Sequence, residues 1–189
     1  LMLANRGLPE YEVLTSAAGE AAFALTLLRC VSWLSLEGLA TRPEHAGPMM
    51  YTPGAQLPGK WTFAYALIPH EGGWEHAWQE AHRFARPLRA VRVSGGTGSL
   101  PAEKSLVSID HPLIVPSAIK LAEDEDSLVV RVYNIADEPT SGNIFVREPF
   151  RIAEAVDLNE ENPRPAIVQG GGVRVALRAN EIATLRFAG

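Results

Sequence analysis

The sequence contains a single cysteine, Cys30, which excludes an internal disulfide and favours a reducing compartment such as the cytoplasm. Its longest uninterrupted apolar run is well short of the roughly 20 residues that a membrane helix requires. The net charge of −5 is mild, and the absence of a basic stripe argues against nucleic-acid binding. Together these absences favour a globular protein that has neither a membrane segment nor a nucleic-acid partner.

The sequence does not begin with methionine. Its first residues, Leu1-Met-Leu-Ala4, have no basic segment and no cleavage site, so they do not form a signal peptide. They are typical of a strand that has already begun. We therefore expect the chain to be a fragment cut from a larger protein.

Apolar residues, glycine and proline are plentiful. A hydrophobic content of 47% with 21% charged residues is ordinary for a folded domain. Glycine and proline are dense over residues 38–60, which predicts a long irregular excursion. The segment 93–99 has a linker composition. It predicts a boundary between a first domain of residues 1–95 and a second of residues 96–189.

The first domain has two predicted strands. Residues 21–36 are apolar on both faces of a strand, which predicts burial on both sides; a buried helix is the alternative. Residues 60–68 alternate Trp61, Phe63 and Tyr65, a period-two strand pattern. These aromatic side chains either pack into a core or stack on sugar rings, and the core is the favoured interpretation.

One helix is predicted, over residues 74–84. Trp74, Trp78 and Ala81 recur at helical spacing, and Pro87 ends the helix. Beyond residue 99 the chain consists of short apolar runs between turn signals. The predicted strands are residues 105–109, 113–122, 127–134, 142–146, 150–157, 172–178 and 181–187. Short strands separated so often by turn signals predict an antiparallel β-sandwich, and the predicted fold class is all-β.

Several other features have a structural and a functional interpretation, and the structural one is favoured in each case. His76 and His82 are six residues apart, without metal-ligand spacing. The acidic run Glu123–Asp126 is a hairpin turn rather than a calcium loop. Cys30 is a core residue rather than a nucleophile. Gly170–Gly172 precedes a strand, so a phosphate loop is not expected.

Six stretches, in order along the chain, resemble the C-terminal region of α-mannosidases of glycoside hydrolase family 38, most closely the bacterial members. They are Asn5-Arg-Gly-Leu-Pro-Glu-Tyr-Glu12, Leu25–Arg29 with Trp33-Leu34, Gly47–Gly59 with Thr52-Pro-Gly-Ala-Gln56, Ser117–Asp124, Val130–Asn134 and Glu181–Leu185. The resemblance covers nearly the whole chain.

The resemblance implies the end of a galactose-mutarotase-like β-supersandwich, followed by a small antiparallel β-sandwich. It also implies that catalysis takes place elsewhere. In the family a retaining mechanism uses a zinc ion and an aspartate nucleophile in more N-terminal domains. No residue of this chain matches those ligands or that nucleophile, so we expect no catalytic residue, no metal ligand and no cofactor here.

Asn5 and Arg6 are the candidate substrate-binding residues, because the resemblance places an arginine of an Asn-Arg-Gly-Leu stretch near the active site. A guanidinium suits hydroxyl pairs or a carboxylate. Glu10 and Glu12 either support Arg6 or face solvent. The expected function is accessory: the chain supports the N-terminal catalytic domains in hydrolysing mannose-containing glycans. The alternatives are a self-standing carbohydrate-binding module and a structural domain for homo-oligomerisation.

Overall fold

The computed structural model of the protein describes residues 1–99, 101–123, 126–147 and 149–189. Within them the chain forms thirteen β strands and one α helix. It divides into two compact units, Leu1–Arg92 and Val93–Gly189. The predicted all-β class with one short helix is confirmed.

The first unit contains two strand pairs and the helix. Strand β1 (Met2–Arg6) runs antiparallel to β4 (Ala64–Ile68), although β4 is distant in sequence. Strands β2 (Tyr11–Thr15) and β3 (Ala21–Leu25) form a hairpin. The helix α1 (Trp78–Ala85) packs against β1 and β4. The helix and the β1–β4 pair therefore form the layer on which the candidate residues Asn5 and Arg6 lie.

The helical segment begins with a 3-10 turn, Trp74–His76, and continues as α1 after Ala77. Ala77 is almost completely buried, as is Ala4 on β1, so small side chains occupy the interior of this unit. The helix ends at Ala85 because Arg86 takes an extended conformation, with φ −126° and ψ 79°. Proline imposes such a conformation on the residue before it, and Pro87 follows.

The strand predicted over residues 21–36 is wrong beyond Leu25. Its partner β2 begins at Tyr11, and Pro9 lies just before it. Proline has no N–H to donate and does not extend a ladder. The predicted burial on both faces is also wrong, because the residues of β3 are exposed or half-buried. Cys30, predicted in the core, is exposed.

Residues 38–60 are irregular, as predicted, apart from a 3-10 helix at Pro53–Gln56 and isolated bridges. The strand predicted over residues 60–68 begins only at Ala64. Trp61 and Tyr65 are 50% and 55% exposed, so the interpretation of these aromatic side chains as core residues is wrong for both.

The second unit is a sandwich of two antiparallel sheets. Its strands, in chain order, are β5 (Val107–Ile109), β6 (Ile114–Leu121), β7 (Leu128–Asn134), β8 (Thr140–Val146), β9 (Ile152–Val156), β10 (Arg164–Pro165), β11 (Ile167–Gln169), β12 (Gly172–Leu177) and β13 (Ile182–Ala188). One sheet has the order β10-β9-β13-β7-β6, and the other β11-β12-β8-β5. Neighbouring strands are antiparallel throughout.

Alternating apolar residues of both sheets form the core of this unit. The buried members are Ile114, Val130, Val132, Ile144, Val173, Val175, Leu177, Leu185 and Phe187. Because side chains of a strand alternate between its faces, each sheet contributes every second residue to the shared interior. Strands β10 and β11 were not predicted, since two or three residues are too short to show a period. Strand β2 was also missed.

Candidate functional site

Asn5 and Arg6 are the last two residues of β1, and the chain bends at Gly7. Gly7 has φ +73°, a conformation that favours glycine. The Oδ1 atom of Asn5 accepts a hydrogen bond of 3.0 Å from the N–H of Leu8, which closes the turn. The strand thus ends with Arg6 at the rim of the first unit.

Arg6 is held against the carboxyl end of α1. Its Nε donates a hydrogen bond of 2.7 Å to the carbonyl oxygen of Phe84, and its Cζ lies 4.6 Å from the centroid of the Phe84 ring. A cation at this position complements the negative end of the helix dipole and the face of the ring. The terminal nitrogens of Arg6 have no hydrogen bond to any residue that the structure describes. They remain available to a ligand.

An open cleft of about 740 Å³ lies beside Arg6. Its lining residues come from the end of β1 and from the segment that follows α1: Asn5, Arg6, Gly7, Ala85, Arg86, Pro87, Leu88 and Arg89. We call it the arginine cleft. Arg86 and Arg89 were not singled out from the sequence, although arginine recurs at every third position from Arg83 to Arg92.

A second cleft, of about 570 Å³, shares Asn5 with the first. It is lined by Leu1, Met2, Leu3, Asn5, Tyr11, Phe23, His70 and Trp74. We call it the aromatic cleft. Aromatic rings beside a few polar groups are typical of small-molecule sites. The sequence prediction of sugar-stacking aromatics considered Trp61, Phe63 and Tyr65, and none of these three lines this cleft.

The acidic residues predicted as alternatives for supporting Arg6 do not contact it. Glu10 accepts a hydrogen bond from Arg29 at 2.8 Å, forming an exposed ion pair. Glu12 lies on the exposed strand β2. Arg6 is therefore positioned by Phe84 and not by a carboxylate.

The described residues contain no group of three or more histidine, cysteine, aspartate or glutamate side chains that could hold a metal ion. His82 instead stacks edge-on with Trp78, with ring centroids 5.3 Å apart. The residues present therefore do not fit the zinc site that the resemblance implies for its family. Of the acidic run Glu123–Asp126, Asp124 and Glu125 lie outside the described residues.

Among the residues that the structure describes, the carboxyl groups with a lowered pKa lie in the second unit. Hydrogen bonds from Asn143 lower the pKa of Asp110, and hydrogen bonds led by that from Asn162 lower the pKa of Asp157. The pKa of Glu181 is lowered chiefly by the backbone N–H of Arg178. Asp157 and Glu181 accept hydrogen bonds within their own loops, whereas Asp110 accepts them from Asn143 of strand β8.

Glu160 connects the loop after β9 to the other edge of its sheet. Its side chain is 8% exposed, lies 2.7 Å from Nζ of Lys120 and accepts a hydrogen bond from the N–H of Glu123. The hydrogen bond from Lys120 holds the pKa of Glu160 below its ordinary value. The pKa of Lys120 is raised by Glu123 and by Glu160.

We expect this contact to make stability depend on pH. Because the folded pKa of Glu160 is lowered, its contribution is complete above the ordinary pKa of 4.5 and is lost as pH falls through the lowered value. Glu160→Gln should therefore have a lower Tm than the wild type at pH 7, and the two curves should converge towards pH 3. Thermal unfolding followed by circular dichroism from pH 7 to 3 measures this difference.

Glu161→Gln is the matched control, because only the backbone of Glu161, and not its side chain, takes part in described hydrogen bonds. Its Tm should follow that of the wild type at every pH. A gap between Glu160→Gln and the wild type that stays constant over the whole pH range would contradict the assignment.

Comparison with known proteins gives one result for the family and one for relatives. Residues 113–185 match the family model described as the glycosyl hydrolases family 38 C-terminal beta sandwich domain. A search of curated proteins found no match. No helix of the described residues is long and apolar enough to cross a membrane. The match lies within the second unit, whose two antiparallel sheets agree with the description. It confirms the resemblance over these residues, which are similar to the C-terminal beta sandwich domain of glycosyl hydrolase family 38.

Proposed function

We propose that the chain is the accessory C-terminal part of a zinc-dependent retaining α-mannosidase of family 38, acting in the bacterial cytoplasm on mannose-containing glycans. It supports the N-terminal catalytic domains and presents Arg6 to the sugar site. The family match supports the assignment to a family 38 enzyme, and the geometry of Arg6 supports its proposed contribution to the sugar site. The zinc ion belongs to the catalytic domains in this proposal, because the described residues do not fit it.

The supporting role rests on the apolar surface of the first unit. Large hydrophobic side chains remain exposed on both strand pairs and on the irregular segments, among them Tyr11, Val13, Leu27, Leu34, Tyr51 and Leu67. A cleft of about 260 Å³ between the two strand pairs is lined only by apolar and aromatic residues. Apolar surface of this kind marks an interaction site. The catalytic domains are the proposed partner.

The role of Arg6 rests on its fixed position with free donors. Nε is committed to Phe84, so the guanidinium is oriented before any ligand arrives. Its terminal nitrogens can then donate to sugar hydroxyls or to a carboxylate without a further loss of side-chain freedom. This is the observation that carries the proposed contribution to substrate binding.

The test is Arg6→Ala in the full-length enzyme. Loss of one or two hydrogen bonds from a charged donor should lower kcat/KM for aryl α-mannosides about 10- to 100-fold. Arg29→Ala is the control, since Arg29 is an exposed arginine of the same unit paired only with Glu10, and its kcat/KM should stay within about twofold. If Arg6 only secures α1, Arg6→Ala will lower Tm and leave kcat/KM unchanged, which contradicts the proposal.

The aromatic cleft favours a second candidate, a self-standing carbohydrate-binding module. Tyr11, Phe23 and Trp74 offer rings for stacking, and Asn5 and His70 offer polar groups. Titration calorimetry of the 189-residue chain with mannose oligosaccharides separates the two functions. Binding that Trp74→Ala abolishes favours the module, whereas no binding favours the accessory role. A dimer in sedimentation, without sugar affinity, favours the homo-oligomerisation alternative.

A further inference from the structure

The segment after α1 has a concentration of positive charge. Residues 81–102 contain Arg83, Arg86, Arg89 and Arg92 but no aspartate or glutamate. Arg83 forms an ion pair with Glu80, one turn earlier on the helix. The other three arginines form no ion pair with any residue that the structure describes. The net charge of −5 for the whole chain does not reveal this local excess of positive charge.

The fold gathers part of this charge on one concave surface. The helix ends at Ala85, and Arg86 takes an extended conformation before Pro87. Arg86 and Arg89 line the same cleft as Arg6. No carboxylate is among the lining residues. Arg6, Arg86 and Arg89 therefore line one cleft, and the described chain contributes no carboxylate to its lining.

The chemistry of this cleft selects an oxyanion. Like charges in one cleft repel each other, and an anion between them removes that repulsion. The planar fork of arginine donors matches a carboxylate or a phosphate in a bidentate geometry. The volume of about 740 Å³ lies within the range of small-molecule sites. A Cβ at Gly7 would meet nothing within 4 Å, so the cleft is open on that side.

We propose that the arginine cleft binds the carboxylate or phosphate group of a small anionic ligand, with Arg86 and Arg89 as its principal donors and Arg6 as the fixed third. Arg6 also belongs to the proposed sugar site, so the two sites share its terminal nitrogens, and Arg86 and Arg89 are the donors that only the anion site uses. Arg6 contributes only its terminal nitrogens, since Nε is engaged by Phe84. Arg86 and Arg89 lie on the irregular segment and adjust to the shape of the anion.

The experiment is a titration of the 189-residue chain with inorganic phosphate, with acetate and with neutral mannose, observed through the arginine side-chain NMR signals at low salt. We expect saturable binding of phosphate or acetate, and the stronger of the two identifies the group. High salt should weaken this binding, since screening reduces charge attraction. Neutral mannose should leave the signals of Arg86 and Arg89 unchanged.

The double variant Arg86→Gln/Arg89→Gln should weaken binding of the preferred anion by about tenfold or more. Arg92→Gln is the matched control, because Arg92 is another arginine without an ion pair on the same segment but does not line the cleft. Its affinity should stay within about twofold of the wild type. Circular dichroism of each variant checks that the fold is retained.

Three results would overturn the proposal. The first is the absence of saturable binding of either anion. The second is an equal loss of affinity in Arg92→Gln, which would show general charge attraction. The third is binding of poly-glutamate but of neither small anion, which would assign the cleft to an acidic polypeptide. None of these results depends on hydrolytic activity, so the anion site and the accessory function are tested separately.

Discussion

Replacing Asn134 by alanine will lower the free energy of unfolding of the second unit by about 3 kcal/mol. Asn134 is fully buried at the end of β7. Its Nδ2 donates hydrogen bonds to the carbonyl oxygens of Glu138 at 2.7 Å and Arg178 at 3.0 Å, and its Oδ1 accepts from the N–H of Ala136 at 3.0 Å. One side chain thus joins the loop after β7 to the loop before β13.

The expected loss is large because alanine would leave these backbone groups without partners. A buried polar group that loses its hydrogen bond costs about 1–3 kcal/mol. Asn134→Asp keeps the shape of the side chain but loses both donors, and we expect it to be at least as destabilising. This variant therefore separates the loss of hydrogen bonds from the loss of packing.

Urea denaturation followed by far-ultraviolet circular dichroism measures this loss. Asn159→Ala is the control, because Asn159 is exposed and its side chain makes no described hydrogen bond; its effect should stay within about 0.5 kcal/mol. All four tryptophans, at positions 33, 61, 74 and 78, lie in the first unit, so their fluorescence reports that unit. An Asn134→Ala protein as stable as Asn159→Ala would refute the role of this side chain.

Replacing Ile144 by alanine will destabilise the same unit by a similar amount, about 2–5 kcal/mol. Ile144 is fully buried on β8, opposite Val173 of β12 and Ile109 of β5. Removing three carbon atoms there loses burial energy and leaves a cavity in the core that the two sheets share. Ile144→Val, which removes one methyl group, should cost only about 1 kcal/mol.

The comparison that isolates the core is Ile119→Ala on β6, whose side chain is 53% exposed. The chemical change is the same, but little apolar surface leaves water there, so the loss should be under about 1 kcal/mol. Chemical denaturation of Ile144→Ala, Ile144→Val and Ile119→Ala under identical conditions measures how much free energy of unfolding each variant loses. If Ile119→Ala and Ile144→Ala cost the same, the second unit does not have the core described here.

These two variants also bear on function. If the second unit is a scaffold, Asn134→Ala and Ile144→Ala in the full-length enzyme should reduce the amount of folded protein. Activity per folded molecule should not change. Arg6→Ala is expected to show the opposite pattern, since it removes a donor of the proposed sugar site and leaves the core of the second unit intact.

The local sequence pattern was sufficient to predict much of the strand structure of the second unit. The predicted strand over residues 127–134 corresponds to β7, and that over residues 181–187 corresponds to β13, each within a residue at either end. Both strands alternate buried valine, leucine or phenylalanine with other residues, a signal that a strand carries in its own sequence. The helix was predicted for the same kind of reason, with Pro87 marking its end.

The same reasoning failed where a strand depends on its partner. Residues 26–36 are largely apolar, like residues 21–25, but only the latter have a strand beside them, because Pro9 precedes the partner strand β2. Apolar composition indicates that burial of a segment is favourable. It does not indicate whether a neighbouring strand is present to form backbone hydrogen bonds with that segment. The exposure of Cys30 and Trp61 has the same origin.

The sequence by itself determined the all-β class, the one helix, most strands of the sandwich and the resemblance to family 38. It also identified Arg6 as a residue of interest. Only the tertiary structure decided what surrounds Arg6: the contact with Phe84, 78 positions away, and the cleft shared with Arg86 and Arg89. Periodicity describes neighbours within about one turn or one strand. Contacts between distant residues are fixed by packing, and they decide which chemical groups meet.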